Sequence, residues 1–231
     1  MPHNWEPCFL LHARSFGDTS IIAELFSESS GKISVIAKGA KNPKSKFFGH
    51  LLPFSALKIM VTGKSEMKTL TQIDSNFLSQ AIKGPHDLYT YLYVNELMVR
   101  LLPKGLANQE LYNLYKNFVE LARADAISEP SLRAFELDLL DILGYGINCD
   151  TDMLENSDFK ESLIYSYIPE RGFQPSEDNK GFSAHEILCI KNRALGGINK
   201  LKLKDLSQTA INACLDGREL SSRKFFKKIK I

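Results

Sequence analysis

The residues best suited to binding chemistry lie in one short stretch, residues 38–46, where four of nine positions are lysine. Ammonium groups at this density can neutralise the phosphates of a nucleic acid strand. Gly39 allows close approach of a backbone, and Phe47 or Phe48 could stack on unpaired bases. Alternatively, both phenylalanines pack in a core and the lysines are merely solvated. We favour binding for the lysines and packing for Phe48.

The charge of the chain supports an anionic partner for its N-terminal part. The net charge is only +2. Residues 1–82 carry nine basic and six acidic side chains, residues 83–160 seven and thirteen, and residues 161–231 thirteen and eight. Between residues 32 and 68, eight lysines are opposed by Glu66 alone. A polyanion such as a nucleic acid fits this excess, although a solvated basic face would have the same composition.

Other candidate sites have weaker support. His185 and Cys189 are one helical turn apart, as two metal ligands on one helix face would be, but no third ligand is suggested by spacing. A histidine on a helix and a small buried thiol are the favoured interpretation. Asp150 and Asp152 begin like a calcium loop, but Leu154 occupies the next ligand position, so the motif fails.

Catalytic signatures are also weak. Glu136, Asp138 and Asp141 cluster on a predicted helix, and paired carboxylates can perform acid–base chemistry. Because they lie largely away from the apolar stripe, we favour a solvated helix face. The sequence contains no G-x-x-x-x-G-K-[ST], G-x-G-x-x-G or G-x-S-x-G motif, so nucleotide hydrolysis and serine-hydrolase chemistry have no support.

The elements that must position the lysines are strands. The 231 residues are 44% hydrophobic, enough for real cores. Five short alternating segments before residue 76, including a hairpin around Gly31, predict a small barrel. From Pro85 the apolar period becomes helical, with a third helix that ends at Gly144. We therefore predict an α+β chain with a five-stranded barrel domain over residues 1–80 and a mainly helical domain over 81–231. Residues 147–182 would form an embedded β/irregular subdomain.

The cellular compartment is predicted from the start of the sequence, its apolar runs and its cysteines. The start of the chain has neither a basic nor an apolar signal region, and no run of about 18 uncharged apolar residues occurs. The four cysteines include no C-x-x-C pair, so neither a disulfide framework nor a four-thiolate zinc site is encoded. These features predict an unexported protein of the reducing cytosol.

An ordered series of motifs resembles the RecO family of bacterial DNA repair proteins. The motifs are Phe9-Leu-Leu-His-x-Arg14, Leu25-Phe-x-x-x-Ser-Gly31-Lys, Ala37-Lys-Gly-Ala-Lys41, Leu52-Pro-Phe54, Pro130-x-Leu-Arg-x-Phe-Glu-x-x-Leu-Leu140 and Leu143-Gly-Tyr-Gly146. The series is continuous over about residues 5–146, thinner over 147–215, and returns faintly at Ser222-Arg-x-x-Phe226. No single motif is diagnostic, but their order is specific.

The resemblance implies an N-terminal OB-fold barrel, a helical domain and a small C-terminal subdomain. It implies a non-enzymatic recombination mediator that binds single- and double-stranded DNA and anneals complementary strands. Its implied partners are RecR, the single-stranded-DNA-binding protein through its acidic C-terminal tail, and indirectly RecA, which it helps to load. No cofactor is implied. Many relatives carry paired C-x-x-C zinc motifs after the Gly-Tyr-Gly turn, whereas this chain has only Cys149 there and resembles the zinc-less branch.

Two groups of site residues follow from the resemblance. The predicted DNA-binding residues are Arg14, Lys38, Lys41, Lys44, Lys46 and Phe47. Arg133 beside Phe135 and Leu139 would be a basic and apolar anchor for the acidic tail, or else an ordinary exposed helix residue paired with Glu136 or Glu129. An alternative function is a barrel-plus-helix adaptor whose lysines recruit an acidic protein, and the expected location is the bacterial cytoplasm near the nucleoid.

Overall fold

The structure is a computed structural model that describes residues 5–52, 55–76, 85–124, 126–155, 157–178 and 180–227. These residues form two compact units, one within Met1–Ala126 and Leu220–Ile231 and the other within Ile127–Glu219. The domain boundary predicted after residue 80 lies outside the described residues. The first unit includes two helices beyond that boundary, because these helices pack directly on the barrel.

Five strands of the first unit close into a barrel, which confirms the predicted OB-fold. The strands are β1 (Glu6–Phe16), β2 (Ser20–Ser27), β3 (Gly31–Ala37), β4 (Ala56–Thr62) and β5 (Met67–Asn76). Their order around the barrel is β1-β2-β3-β5-β4, and only β3 and β5 pair in parallel. In this closed order each of the five strands pairs with a neighbour on both sides, whereas a flat sheet would leave two edge strands.

Alternation of side chains along the strands fills the barrel. Ala23 and Leu25 on β2 face inward with Ile33 and Val35 on β3, and all four are buried. These inward positions have the period of two that the sequence shows, because successive side chains of a strand point to opposite faces. Leu51, beyond β3, contributes to the same core.

Two helices of the first unit cover one side of the barrel. They are α1 (Pro85–Leu101) and α2 (Gln109–Arg123), and the side chain of Asn108 caps α2 by accepting from the backbone N–H of Leu111. The rings of Phe9 and Phe26 on the barrel lie 5–6 Å from Tyr115 on α2. This aromatic contact fixes α2 on the outer surface of β1 and β2.

The second unit contains three longer helices and a small sheet. Its elements are α3 (Glu129–Ile142), β6 (Ile164–Ile168), β7 (Gly172–Pro175), β8 (Phe182–Ser183), α4 (Ala184–Lys191) and α5 (Lys200–Cys214). The strands pair in the order β7-β6-β8. Tyr165 and Phe173 of the sheet pack in one core with Leu137 and Leu203. The chain then returns to the first unit with a short helix, α6 (Arg223–Lys227).

Candidate nucleic-acid interface

The lysine-rich stretch is an ordered loop after β3. A series of backbone hydrogen bonds, each spanning three residues, shapes it: the N–H of Asn42 donates to the Gly39 carbonyl at 3.0 Å and the N–H of Ser45 to the Asn42 carbonyl at 2.9 Å. Phe48 continues the series by donating to Ser45 at 3.1 Å. Gly39 has φ of +72°, in the left-handed region that glycine enters at no steric cost. We call residues 38–50 the lysine loop.

The lysine loop is fastened at both ends to the barrel. The backbone N–H of Lys41 donates to Thr19 at 2.9 Å, and its ammonium donates to the Gly17 carbonyl at 2.8 Å. Towards the other end, His50 Nδ1 lies 2.7 Å from Ser75 Oγ on β5. The first contact places the loop beside the turn between β1 and β2, so its charges have a fixed position on the barrel.

The predicted basic residues differ in how freely they can meet a ligand. Lys38, Lys44 and Lys46 are exposed, and within the described part of the chain none of them forms an ion pair with a carboxylate. Lys41 is half-buried because its ammonium is bound to Gly17. Arg14 is exposed on β1, opposite Ile22 of β2 and near the same turn. Arg14, Lys38 and Lys41 thus lie near the turn between β1 and β2, and Lys44 and Lys46 follow on the same loop.

The two phenylalanines of the loop have the reverse of the roles that we expected. Phe47 is only 7% exposed and belongs to the barrel core, so its ring cannot stack on a base in this conformation. Phe48, which we expected to pack, is 50% exposed. Burial of one ring of the pair turns its neighbour outward, and the sequence does not distinguish the two. The ammonium of Lys46 lies 5.3 Å from the centre of the Phe47 ring and covers its outer side.

A second exposed aromatic ring was missed by sequence reasoning. Phe16, the last residue of β1, is 48% exposed and directly precedes the turn to which Lys41 is bound. Its signal in the sequence was a large apolar residue next to Gly17-Asp18-Thr19, where a turn leaves little room for burial. Exposed rings beside unpaired cations are the combination that holds single strands by stacking and charge.

The proposed anchor on α3 does not form an accessible surface. Phe135 and Leu139 are buried, and Arg133 is 5% exposed. The guanidinium donates from Nη1 to Glu136 Oε2 at 2.6 Å and to Ser207 Oγ at 2.9 Å, and its Nε lies 3.3 Å from Glu129 Oε1. Pairing with Glu136 and Glu129 agrees with the alternative interpretation, but the pair is internal rather than exposed.

The acidic cluster of α3 is likewise less solvated than we expected. Glu136 is fully buried beside Arg133, which contradicts its placement on a solvated helix face. Asp138 accepts from Arg193 Nε at 2.7 Å, and Asp141 accepts from Nη2 of the same side chain. These carboxylates bind arginines of their own unit.

The remaining candidates were tested for metal ligation. His185 Nε2 and Cys189 Sγ lie 3.5 Å apart. Among the residues that the structure describes, no group of three or more histidine, cysteine or acidic side chains could hold a metal ion. Burial raises the pKa of the Cys149 thiol to about 11, which keeps it protonated at neutral pH.

No helix in the described ranges is both long enough and apolar enough to cross a membrane.

The fold and the interface together define a class: an OB-fold barrel with a cationic loop and exposed aromatic rings at one end, extended by helices. Comparison with known proteins narrows this class. The family model described as "Recombination protein O N terminal" matches residues 1–76, and "Recombination protein O C terminal" matches residues 84–216.

Curated relatives cover nearly the whole chain. A "DNA repair protein RecO" from Pectobacterium atrosepticum is 37% identical over 97% of this chain and 93% of its own length. One from Hamiltonella defensa is 37% identical over the full length of both chains, and one from Salmonella enteritidis is 33% identical over 97% and 94%. The chain therefore belongs to the RecO family of DNA repair and recombination proteins.

Proposed function

We propose that this chain is a recombination mediator that binds single- and double-stranded DNA at the lysine loop and anneals complementary strands. It works without catalysing a covalent step and needs no cofactor. In the bacterial cytoplasm, it acts with RecR and the single-stranded-DNA-binding protein to help load RecA. Family membership supports the role in DNA repair. The annealing activity, the partners and the location are the further parts of this proposal, and experiments can test them.

The observation that carries DNA binding is the geometry of the lysine loop. Three exposed ammonium groups on a loop fastened at Lys41 and His50 can meet phosphates without first ordering a flexible segment. Phe16 and Phe48 offer exposed rings to unpaired bases. Together these groups favour a strand with accessible bases, because aromatic stacking requires an unpaired base face.

The test is a titration of a single-stranded oligonucleotide at several salt concentrations. The variant is Lys38→Gln/Lys44→Gln/Lys46→Gln, which spares Lys41 because that residue fastens the loop. If each lysine meets one phosphate, the slope of log affinity against log salt should become shallower by about 2, at roughly 0.7 per contact. The matched control is Lys58→Gln, an exposed lysine on β4 of the same barrel.

Affinity and slope that stay unchanged in the triple variant would place DNA binding elsewhere. An acidic peptide that binds the lysine loop, together with negligible DNA binding, would favour the adaptor function instead. The mediator role is tested by strand annealing with and without single-stranded-DNA-binding protein. The wild type should speed annealing of coated strands, whereas the triple variant should lose most of this effect.

A further inference from the structure

A cleft in the first unit lies between the outer face of β1 and β2 and the helix α1. Its volume is about 560 Å³, and the segment that begins at Ser221 closes one side. The wall on the barrel includes Arg14 and Ile22, and the opposite wall includes Leu92 and Arg100 of α1. We call this space the α1 cleft.

Cationic side chains outnumber carboxylates in the lining of the α1 cleft. Arg14, Arg100 and Lys104 are exposed in its lining. A fourth cation, Lys32, is buried and donates to the Val99 carbonyl at 2.6 Å, and burial lowers its pKa. Exposed cations that converge on a concave surface attract an anionic ligand, because the low-dielectric walls concentrate their field.

The two carboxylates of the α1 cleft are held by internal hydrogen bonds. Glu24 accepts from Ser34 Oγ at 2.9 Å. Glu96 accepts from the backbone N–H groups of Ser221 at 3.0 Å and Ser222 at 2.8 Å, and its distance to Arg100 is 3.9 Å. Glu96 offsets part of the positive charge of Arg100, but the lining still contains four cations, Arg14, Lys32, Arg100 and Lys104, against these two carboxylates.

The returning segment brings an aromatic ring to the cleft. Phe225 lines it and is 37% exposed. Its ring stacks on Tyr89 of α1, with centroids 5.4 Å apart and planes inclined by 18°. A ring supported on one side in this way loses little further freedom when a base stacks on it, which favours binding of an unpaired base.

Arg14 connects the α1 cleft to the lysine loop. It lines the cleft, and it lies two residues before Phe16, at the turn to which Lys41 is bound.

The length of the cleft sets how much of a strand it can hold. From Leu92 to Arg100, the wall formed by α1 is about 12 Å long at 1.5 Å per helical residue. That length accommodates about three nucleotides at the roughly 3.4 Å rise of a helical strand.

We propose that the α1 cleft binds the continuation of the single DNA strand held by the lysine loop, with phosphates at Arg100 and Lys104 and a base on Phe225. The inference rests on the proposed DNA-binding function and extends its footprint from the barrel to α1 and the returning segment. It predicts that tight binding needs a strand long enough to reach both surfaces. Nucleic acid is favoured over an acidic peptide because the cleft is continuous with the lysine loop and contains a supported aromatic ring.

The experiment compares oligonucleotides of about 6 and about 20 nucleotides. The variant Arg100→Gln/Lys104→Gln should weaken binding of the longer strand by roughly tenfold or more at 0.1 M salt and make its salt slope shallower by about 1.4, at 0.7 per phosphate contact. Binding of the shorter strand should change little. The control Lys116→Gln, an exposed residue of α2 outside the cleft, should leave both affinities unchanged.

A second readout locates the strand. A long oligonucleotide that carries 5-iodouracil should photo-crosslink to Phe225, and Phe225→Leu should remove that crosslink. If the double variant and the wild type bind the long strand equally while the lysine-loop variant binds it weakly, the cleft inference is wrong and the proposed function stands. If neither variant changes DNA binding, both fail. Loss of acidic-peptide binding in the double variant with DNA binding intact would also overturn the inference.

Discussion

Removal of the Arg133 guanidinium should destabilise the second unit strongly. The side chains of Arg133 and Glu136 are 6% and 0% exposed, and their closest N and O atoms are 2.6 Å apart. The same guanidinium nitrogen donates to Ser207 on α5 at 2.9 Å. The interaction therefore stabilises α3 internally and also connects α3 to α5.

The magnitude follows from what remains after the change. Arg133→Met keeps a long side chain but leaves the Glu136 carboxylate buried without the guanidinium. Breaking one side of a buried ion pair costs about 3–5 kcal/mol, because the charge keeps its desolvation penalty and loses the compensating attraction. The double variant Arg133→Met/Glu136→Leu removes both charges. It should recover most of the loss, because apolar replacement of a whole buried pair is often neutral or stabilising.

Urea unfolding followed by circular dichroism measures the effect. With a slope of about 2–3 kcal/mol/M, the loss in Arg133→Met should lower the midpoint by about 1 M or more. The control is Lys160→Met, which breaks the exposed pair between Lys160 and Glu155, with side chains 53% and 51% exposed. Because both side chains of this pair are exposed to solvent, the control should shift the urea midpoint far less than Arg133→Met does. If Arg133→Met cost no more than the control, Arg133 would be an accessible residue, as a docking site for a partner requires.

Two further perturbations test the packing of the first unit. Gly31→Ala should lower the free energy of unfolding by about 2 kcal/mol or more, as measured by thermal unfolding. The φ of Gly31 is +67°, and an added Cβ would lie 2.0 Å from the Leu106 carbonyl oxygen. Gly196→Ala is the control, which should be nearly neutral because a Cβ added there meets open space. Burial raises the pKa of Glu96, but hydrogen bonds from Ser222 and Ser221 outweigh it and hold that pKa below 4.5. The attachment of the returning segment is therefore complete above pH 4.5 and weakens as pH falls through the folded-state pKa. Hydrogen-exchange protection of the Ser221 and Ser222 amides should fall accordingly, and Glu96→Gln should remove this pH dependence. Protection of these amides that is the same in Glu96→Gln and in the wild type at every pH would contradict the role of Glu96.

The strands and helices could be predicted because their signals are local. Alternation along β2 and β3 and the glycine at residue 31 indicate a hairpin without knowledge of the rest of the chain. The parallel pairing of β3 with β5 has no such signal, because it joins segments more than thirty residues apart, such as Ser34 and Met67. The sequence analysis therefore did not predict this parallel pair. It predicted only a barrel, from the general tendency of five short strands to close.

The placement of individual side chains depends on distant packing partners. Phe47 and Phe48 are adjacent and chemically identical, so composition and spacing cannot show which ring enters the barrel core. The choice is made by the loop as a whole, which is tied to Thr19 at one end and Ser75 at the other. The lysines are less sensitive to this choice because long charged side chains reach solvent from most surface positions. The exposure of the basic residues could therefore be predicted better than that of the aromatic residues.

Arg133 shows why a polar residue in an amphipathic helix is the hardest to interpret. On α3 alone, a charged side chain beside an apolar stripe belongs on the exposed edge of the helix. Its burial requires two conditions: an acidic residue one turn away, which the sequence shows as Glu136, and a neighbouring element that supplies another acceptor. The second condition is met by Ser207, 74 residues away, and no local pattern contains that information. The pairing with Glu136 was therefore foreseeable, whereas its burial depended on the packing of α5 against α3.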